Sequence, residues 1–187
     1  MIISENKRGI TIALCAVLGF TAEIAAGTLL GSILYFFPDI AAGYQGQMDS
    51  QLSDGLMSLF LVIVFSPLFE EGVFRFILLG VMEKKIGFTA ANLIQALLFG
   101  IYHMNLIQGI YAFLLGILIG FLKHYTGTVI SCICFHVLFN ITGALVNRYV
   151  PAELSSGIRI TAMLVSFAAS VILFITIRDN RSKLIRR

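Results

Sequence analysis

Charge, proline and cysteine are all scarce in this 187-residue chain: 12% of residues are charged, three are proline and three are cysteine. A soluble domain carries about 25% charged residues and about 45–50% apolar ones. Here 58% are hydrophobic and the mean hydropathy is +0.94, which excludes an ordinary soluble globule and reads as a polytopic membrane protein. Few prolines and no polar low-complexity tract leave no place for a linker, so residues 1–187 read as a single membrane domain. Cys15, Cys132 and Cys134 all lie in apolar runs, which argues against a disulfide framework. The four aspartates, Asp39, Asp49, Asp54 and Asp179, fall outside the apolar spans, so a paired-aspartate site within the membrane is excluded. No H-E-x-x-H and no G-x-S-x-G occurs, which removes a zinc site of the first type and a serine nucleophile of the second. There is no phosphate-cradling glycine loop, no basic amphipathic surface helix and no nucleic-acid signature.

Against that background the apolar runs are long. A membrane-spanning helix needs about 20 mostly apolar residues, and six segments qualify: roughly 9–37, 55–82, 88–104, 107–123, 128–147 and 158–177. The expected fold is therefore an all-α polytopic bundle of about six spans around a polar cavity at mid-membrane. Lys7 and Arg8 flank the first span; Arg178, Arg181, Lys183, Arg186 and Arg187 flank the last. Residues 38–54 read as a loop carrying Asp39, Asp49 and Asp54 without lysine or arginine. Lys84 and Lys85 lie in the second connection and Lys123 in the fourth, with Arg148 the exception in the fifth. The positive-inside rule then puts both termini in the cytoplasm and the protein in the cell membrane. Gly27-x-x-x-Gly31 and Gly116-x-x-x-Gly120 have the spacing of close helix packing.

Few polar residues interrupt the spans, and each is costly at bilayer depth, which makes each a functional candidate. They are Glu23, Glu70, Glu71, Arg75, Asn92, Gln95, His103, His136 and Asn140. At about 1.5 Å of rise per residue, Glu70 lies about 18 Å from the cytoplasmic end of its span and His103 about 22 Å. His136 and Asn140 lie about 12 and 18 Å in. Three helices thus bring polar groups to one band. Glu71 and Arg75, four apart, share a face and can pair. Glu70 is rotated about 100° from Glu71 and is free to face a cavity. His136 and Asn140 share a face with Cys132, and Asn92, Gln95, Phe99 and His103 form a stripe; Asn92, Gln95, Phe99 and Cys132 are expected to line the cavity. Pro67 removes a helical hydrogen bond one turn before Glu70. Two carboxylates, two imidazoles, a carboxamide and a guanidinium make a hydrolytic set. A glutamate in a low-dielectric pocket serves as general base, and His and Asn donors serve a developing oxyanion.

Glu70-Glu71-Gly-Val-Phe-Arg75 resembles the E-E-x-x-x-R motif of the CPBP family, which comprises CAAX-type prenyl proteases and bacteriocin-processing, abortive-infection-type enzymes. Phe99-Gly-Ile-Tyr-His103 is similar to that family's F-x-x-x-H, and His136-Val-Leu-Phe-Asn140 to its H-x-x-x-N. Order, spacing and placement in separate spans agree across a core of about residues 55–147. The resemblance implies an intramembrane endopeptidase in which Glu70 and His103 activate water. His136 and Asn140 would stabilise the oxyanion, and Glu71 with Arg75 would shape the site. It implies no cofactor and, as partners, a peptide or membrane-protein substrate within the lipid bilayer.

Three other readings start from the same residues. Buried acids also suit a proton pathway or a non-enzymatic bacteriocin self-immunity protein. Two histidines, the glutamates and Cys132 suit a zinc-dependent version of the protease. Individual residues also have structural readings: Glu71–Arg75 as an ion pair, Asn140 as an interhelical bond worth about 0.6 kcal/mol, and Cys132 as packing. Glu23 reads as a packed acid outside the site, and His124 as part of a solvated face beside Lys123.

Overall fold

The computed structural model describes residues 5–52, 55–150 and 154–185, and among them every regular element is helical. In chain order these are α1 (Glu5–Leu34), α2 (Pro38–Leu52), α3 (Leu56–Ile86), α4 (Phe88–Tyr102), α5 (Leu106–Thr126), α6 (Val129–Tyr149) and α7 (Ser156–Ile185). Five are long and apolar enough to cross a membrane: α1, α3, α5, α6 and α7. The sixth expected span, α4, is a shorter apolar helix of 15 residues. The fold is a polytopic helical bundle of a multi-pass membrane protein. Three connections are marked by sequence. Gly87 and Gly127 adopt positive φ at the α3–α4 and α5–α6 turns, while Asn105 and Thr128 cap α5 and α6 with their side-chain oxygens.

One expectation is corrected here. Within the expected loop 38–54, Pro38–Leu52 is not a loop but forms α2, begun by Pro38 at its first turn and by Asp39 near its N-terminus. Hydropathy alone does not find such a helix, because its residues are polar and small. Asp39 and Asp49 therefore sit on a helix, as does Asp179 on α7. Asp54, Arg186 and Arg187 lie outside the described residues.

The bundle has two packed regions. In one, α1 lies against α6 and α7, with Cys15, Leu18, Ile119, Leu122, Cys132, Phe135 and Ile177 as its buried core. In the other, α3 and α5 flank α4, and Phe74, Phe99 and Ala112 are buried between them. Lipid-facing positions such as Phe76, Leu97, Leu114 and Phe167 stay exposed on the outside.

Without a hydrophobic drive between helices in lipid, small residues set how closely they approach. A Cβ at Gly116 would stand 3.0 Å from the Ala96 Cα, and one at Gly120 would collide with the Asn92 amide. The Gly116–Gly120 pair thus seats α5 on α4 as its spacing predicts. Gly27 does something else: a Cβ there would lie 2.8 Å from the Glu23 carboxylate, so it makes room for an acid and not for a helix. A third close approach has no spacing motif. A Cβ at Gly100 would stand 2.6 Å from the Gly109 carbonyl oxygen of α5. Gly100→Ala is therefore expected to destabilise the protein by about 1–3 kcal/mol through overpacking. Thermal unfolding in detergent reads this, and an unchanged midpoint would show that α4 and α5 are free to separate.

Candidate active site

The site begins with how α3 is wound. Its turns alternate: Leu61–Phe65 and Glu71–Leu79 are π-helical, and Ser66–Glu70 between them is α-helical. Short π-helical stretches inside α-helices are rare and concentrate at functional sites. In the first wide turn the Ser66 N–H donates five residues back, to the Leu61 carbonyl. Continuing that register would pair residue 67 with the Val62 carbonyl, but Pro67 has no N–H to give. The Asn140 side chain takes the place, its Nδ2 donating to the Val62 oxygen at 3.0 Å. Pro67 thus creates an acceptor in α3 that ties α6 to it.

Both glutamates are buried, and they have different partners. Glu71 and Arg75 are 0% exposed, and an Arg75 NH1 nitrogen lies 3.1 Å from Glu71 Oε1 as an i,i+4 ion pair. His136 Nδ1 lies 2.8 Å from the same oxygen. A carboxylate accepts only, so the Nδ1 proton points at Glu71 and fixes the ring's orientation. Glu71 Oε1 is therefore committed twice, to Arg75 in its own helix and to His136 from α6, while Oε2 is buried with no hydrogen-bond partner among the described residues. The guanidinium carbon sits 4.2 Å from the centre of the Phe99 ring, a cation–π contact from α4. No nitrogen of Arg75 has an aligned hydrogen-bond acceptor among the described residues, so its charge is balanced by Glu71 and by the ring face.

Glu70, 5% exposed, is held differently. Ser66, one turn earlier, donates its hydroxyl to Glu70 Oε1 at 2.6 Å. The other oxygen, Oε2, stands 3.7 Å from His136 Nε2, too far for a direct hydrogen bond. One carboxylate is spent on holding the site, and the other keeps an oxygen beside an imidazole.

His103 is the C-cap of α4. Its Nδ1 lies 2.8 Å from the Phe99 carbonyl oxygen. That oxygen accepts only, so Nδ1 carries the proton and Nε2 is left as an acceptor. The Phe99 ring stands edge-on to both histidines, with centroids 4.8 Å from His103 and 6.0 Å from His136. Of the expected catalytic residues, Glu70, Glu71, Arg75 and His136 are thus in direct contact. His103 is joined to them through one aromatic ring, and Asn140 through the backbone of α3.

The expected lining residues divide. Phe99 walls the site. Asn92 and Gln95 are buried in the α4–α5 interface: Asn92 Nδ2 donates to the Ile117 carbonyl at 3.1 Å and Gln95 Nε2 to the Gly116 carbonyl at 3.0 Å. Cys132 belongs to the core beside α1, its thiol facing the Ile119 and Thr128 carbonyls. Among the described residues no group of three His, Cys, Asp or Glu side chains has an arrangement that would hold a metal ion. Ser66 was not predicted, although its place four residues before Glu70 on one helix was a usable signal.

Comparison with known proteins bears on the same residues. A family model described as "Type II CAAX prenyl endopeptidase Rce1-like" matches residues 52–142, which contain all three motifs. A Bacillus subtilis (strain 168) protein described as "Putative membrane peptidase YdiL" is 29% identical over 140 residues, 73% of this chain. The chain spans 56% of the length of that relative. No solved structure matches the chain. The family model lies over the helices that carry Glu70, His103 and His136, and the relative aligns over 73% of the sequence, so both similarities support a CPBP-type, Rce1-like membrane protease.

Proposed function

We propose that the protein is a glutamate-dependent intramembrane endopeptidase that hydrolyses peptide bonds of a membrane-associated substrate or leader peptide. The observation that carries this reading is the division of labour between adjacent glutamates. Glu71 carries both the Arg75 and the His136 contacts on one oxygen and is fully buried, while Glu70, 5% exposed, keeps one oxygen 3.7 Å from an imidazole nitrogen. Two acids with different environments and different roles are the mark of acid–base chemistry.

In this reading Glu70 takes a proton from a water molecule as its hydroxide adds to the scissile carbonyl. His103, with Nε2 as an acceptor, orients that water. The oxyanion is met by the second N–H of the Asn140 amide, whose first is held by Val62, and by His136 in its doubly protonated form, with Nδ1–H on Glu71 and Nε2–H on the oxyanion. The proton on Glu70 then passes to the leaving nitrogen as the C–N bond breaks. No cofactor is used. We further propose one membrane domain in the cell membrane with both termini in the cytoplasm, on the strength of Lys7, Arg8 and Arg178 at its two ends.

The test compares membrane-peptide termini by mass spectrometry in cells expressing wild type or Glu70→Gln at matched levels. New termini that vanish in the variant are expected, and they identify the substrate. Identical termini with both proteins folded would overturn the reading in favour of a binding or immunity protein. Cleavage by the purified enzyme is expected to persist after dialysis against a chelator, because the carboxylate and not an ion activates water. Loss of activity that returns with added zinc would establish the metal-dependent alternative.

A further inference from the structure

Helix α2 lies almost wholly ahead of the family-matched residues 52–142. It is attached by polar side chains to the end of the bundle that carries His103. The Gln45 Nε2 donates to Asn147 Oδ1 of α6 at 3.1 Å. Tyr44 sits against the Tyr111 hydroxyl of α5, and burial there pushes its phenol pKa up. The shortest of these bonds is from Asn105 Nδ2 to Gln47 Oε1, at 2.6 Å.

Asn105 stands two residues after His103. The residue between them, Met104, adopts φ 53, a left-handed conformation that a side-chain-bearing residue rarely takes. Such a backbone persists only where its surroundings over-determine it. The Met104 side chain supplies none of that restraint, the residue being 90% exposed, although its N–H donates to the Ile101 carbonyl at 3.1 Å. Asn105 does: its Oδ1 accepts from the Gln108 N–H at 2.9 Å, its backbone oxygen accepts from the Gly109 N–H at 2.7 Å, and its amide donates to Gln47. The turn that ends in His103 is thus pinned on one side by the start of α5 and on the other by α2.

We infer that Gln47 and Asn105 are positioning residues for His103, with α2 acting as a strap that sets the imidazole's place at the mouth of the site. The inference rests on the peptidase reading for its catalytic consequence, though not for its structural one. A displacement of about 1 Å of a catalytic group costs on the order of 10²-fold in rate. Gln47→Leu, which removes the acceptor at similar volume, is expected to lower kcat by about 10–100-fold with KM little changed. Gln47→Glu keeps an accepting oxygen for Asn105 and should restore it. The double variant Gln47→Leu/Asn105→Ala should be no worse than Asn105→Ala alone.

The chain has three histidines, His103, His124 and His136, so ring-labelled histidine gives three NMR signals, assigned through a His103→Gln spectrum. Gln47→Leu should move or broaden the His103 signal, leave the other two in place, and recover in Gln47→Glu. A merely structural role would lower the yield or melting temperature but leave kcat per folded molecule and the His103 signal unchanged. Either an unmoved His103 signal or a wild-type kcat in folded Gln47→Leu overturns the inference. If wild type shows no Glu70-dependent cleavage, the peptidase reading fails instead, and the His103 signal still decides whether the strap positions the ring.

Discussion

Glu70→Gln is expected to lower kcat by about 10²–10⁴-fold, the usual contribution of a positioned general base. The substitution keeps the side chain's volume, and its amide oxygen still accepts the Ser66 hydroxyl now bonded at 2.6 Å. Helix α3 therefore has no reason to unfold, and KM should change little, because the lost interaction belongs to the transition state. The measurement is steady-state cleavage of the identified substrate by purified protein in proteoliposomes, with thermal unfolding as a control. Ser66→Ala gives a graded comparison, since it frees one carboxylate oxygen without removing the base. A Glu70→Gln variant that retains most of the wild-type kcat would assign the base elsewhere and end the mechanism proposed here.

Arg75→Met is expected to cost about 3–5 kcal/mol of stability, the loss typical when one member of a buried ion pair is removed. Glu71 would stay fully buried with only His136 to answer its charge, and the Phe99 ring would lose the cation on its face. Arg75→Lys should recover little, because a compact ammonium does not reproduce a flat guanidinium lying on an aromatic ring. The double variant Glu71→Gln/Arg75→Met removes both charges together and should be more stable than Arg75→Met alone. His136 Nδ1 can still donate to the glutamine oxygen in that variant. Unfolding midpoints in detergent for wild type, Glu71→Gln, Arg75→Met and the double variant form the cycle. Arg75→Met with a wild-type midpoint would show that the pair contributes nothing to the fold.

Much of this was legible in the sequence because membranes simplify the problem. Each span had to satisfy its own backbone, so a hydropathy reading found every crossing helix and α4 as well. Glu71 and Arg75 pair as their spacing allowed. The polar α2 escaped, since Gly43, Gly46 and its glutamines carry no hydropathy signal. The pairing of His136 with Glu71 spans 65 positions and depends on how α6 meets α3, which a single helix cannot reveal. Two wide turns in α3 change residue rotation, so a face drawn at 100° per residue drifts along Glu71–Leu79. Asn92 and Gln95 were misleading for a related reason: their stripe is polar because α5 offers the carbonyls of Ile117 and Gly116 there.

The shortness of α4 has a consequence for the lipid. Its 15 residues rise about 22 Å, against a hydrocarbon core of about 30 Å. Leu93, Leu97, Leu98 and Ile101 face outward along it, so this flank of the protein presents a hydrophobic band several ångströms too low. A mismatch of that kind is met by local thinning of the bilayer, by snorkelling of flanking residues or by oligomerisation, each at a fraction of a kcal/mol per ångström. Thinning there would adjoin the helix end that bears His103. In the peptidase reading, a peptide segment approaching along a thinned flank would leave the apolar slab early, and its backbone would meet water and the site's polar groups before crossing the full thickness of the membrane.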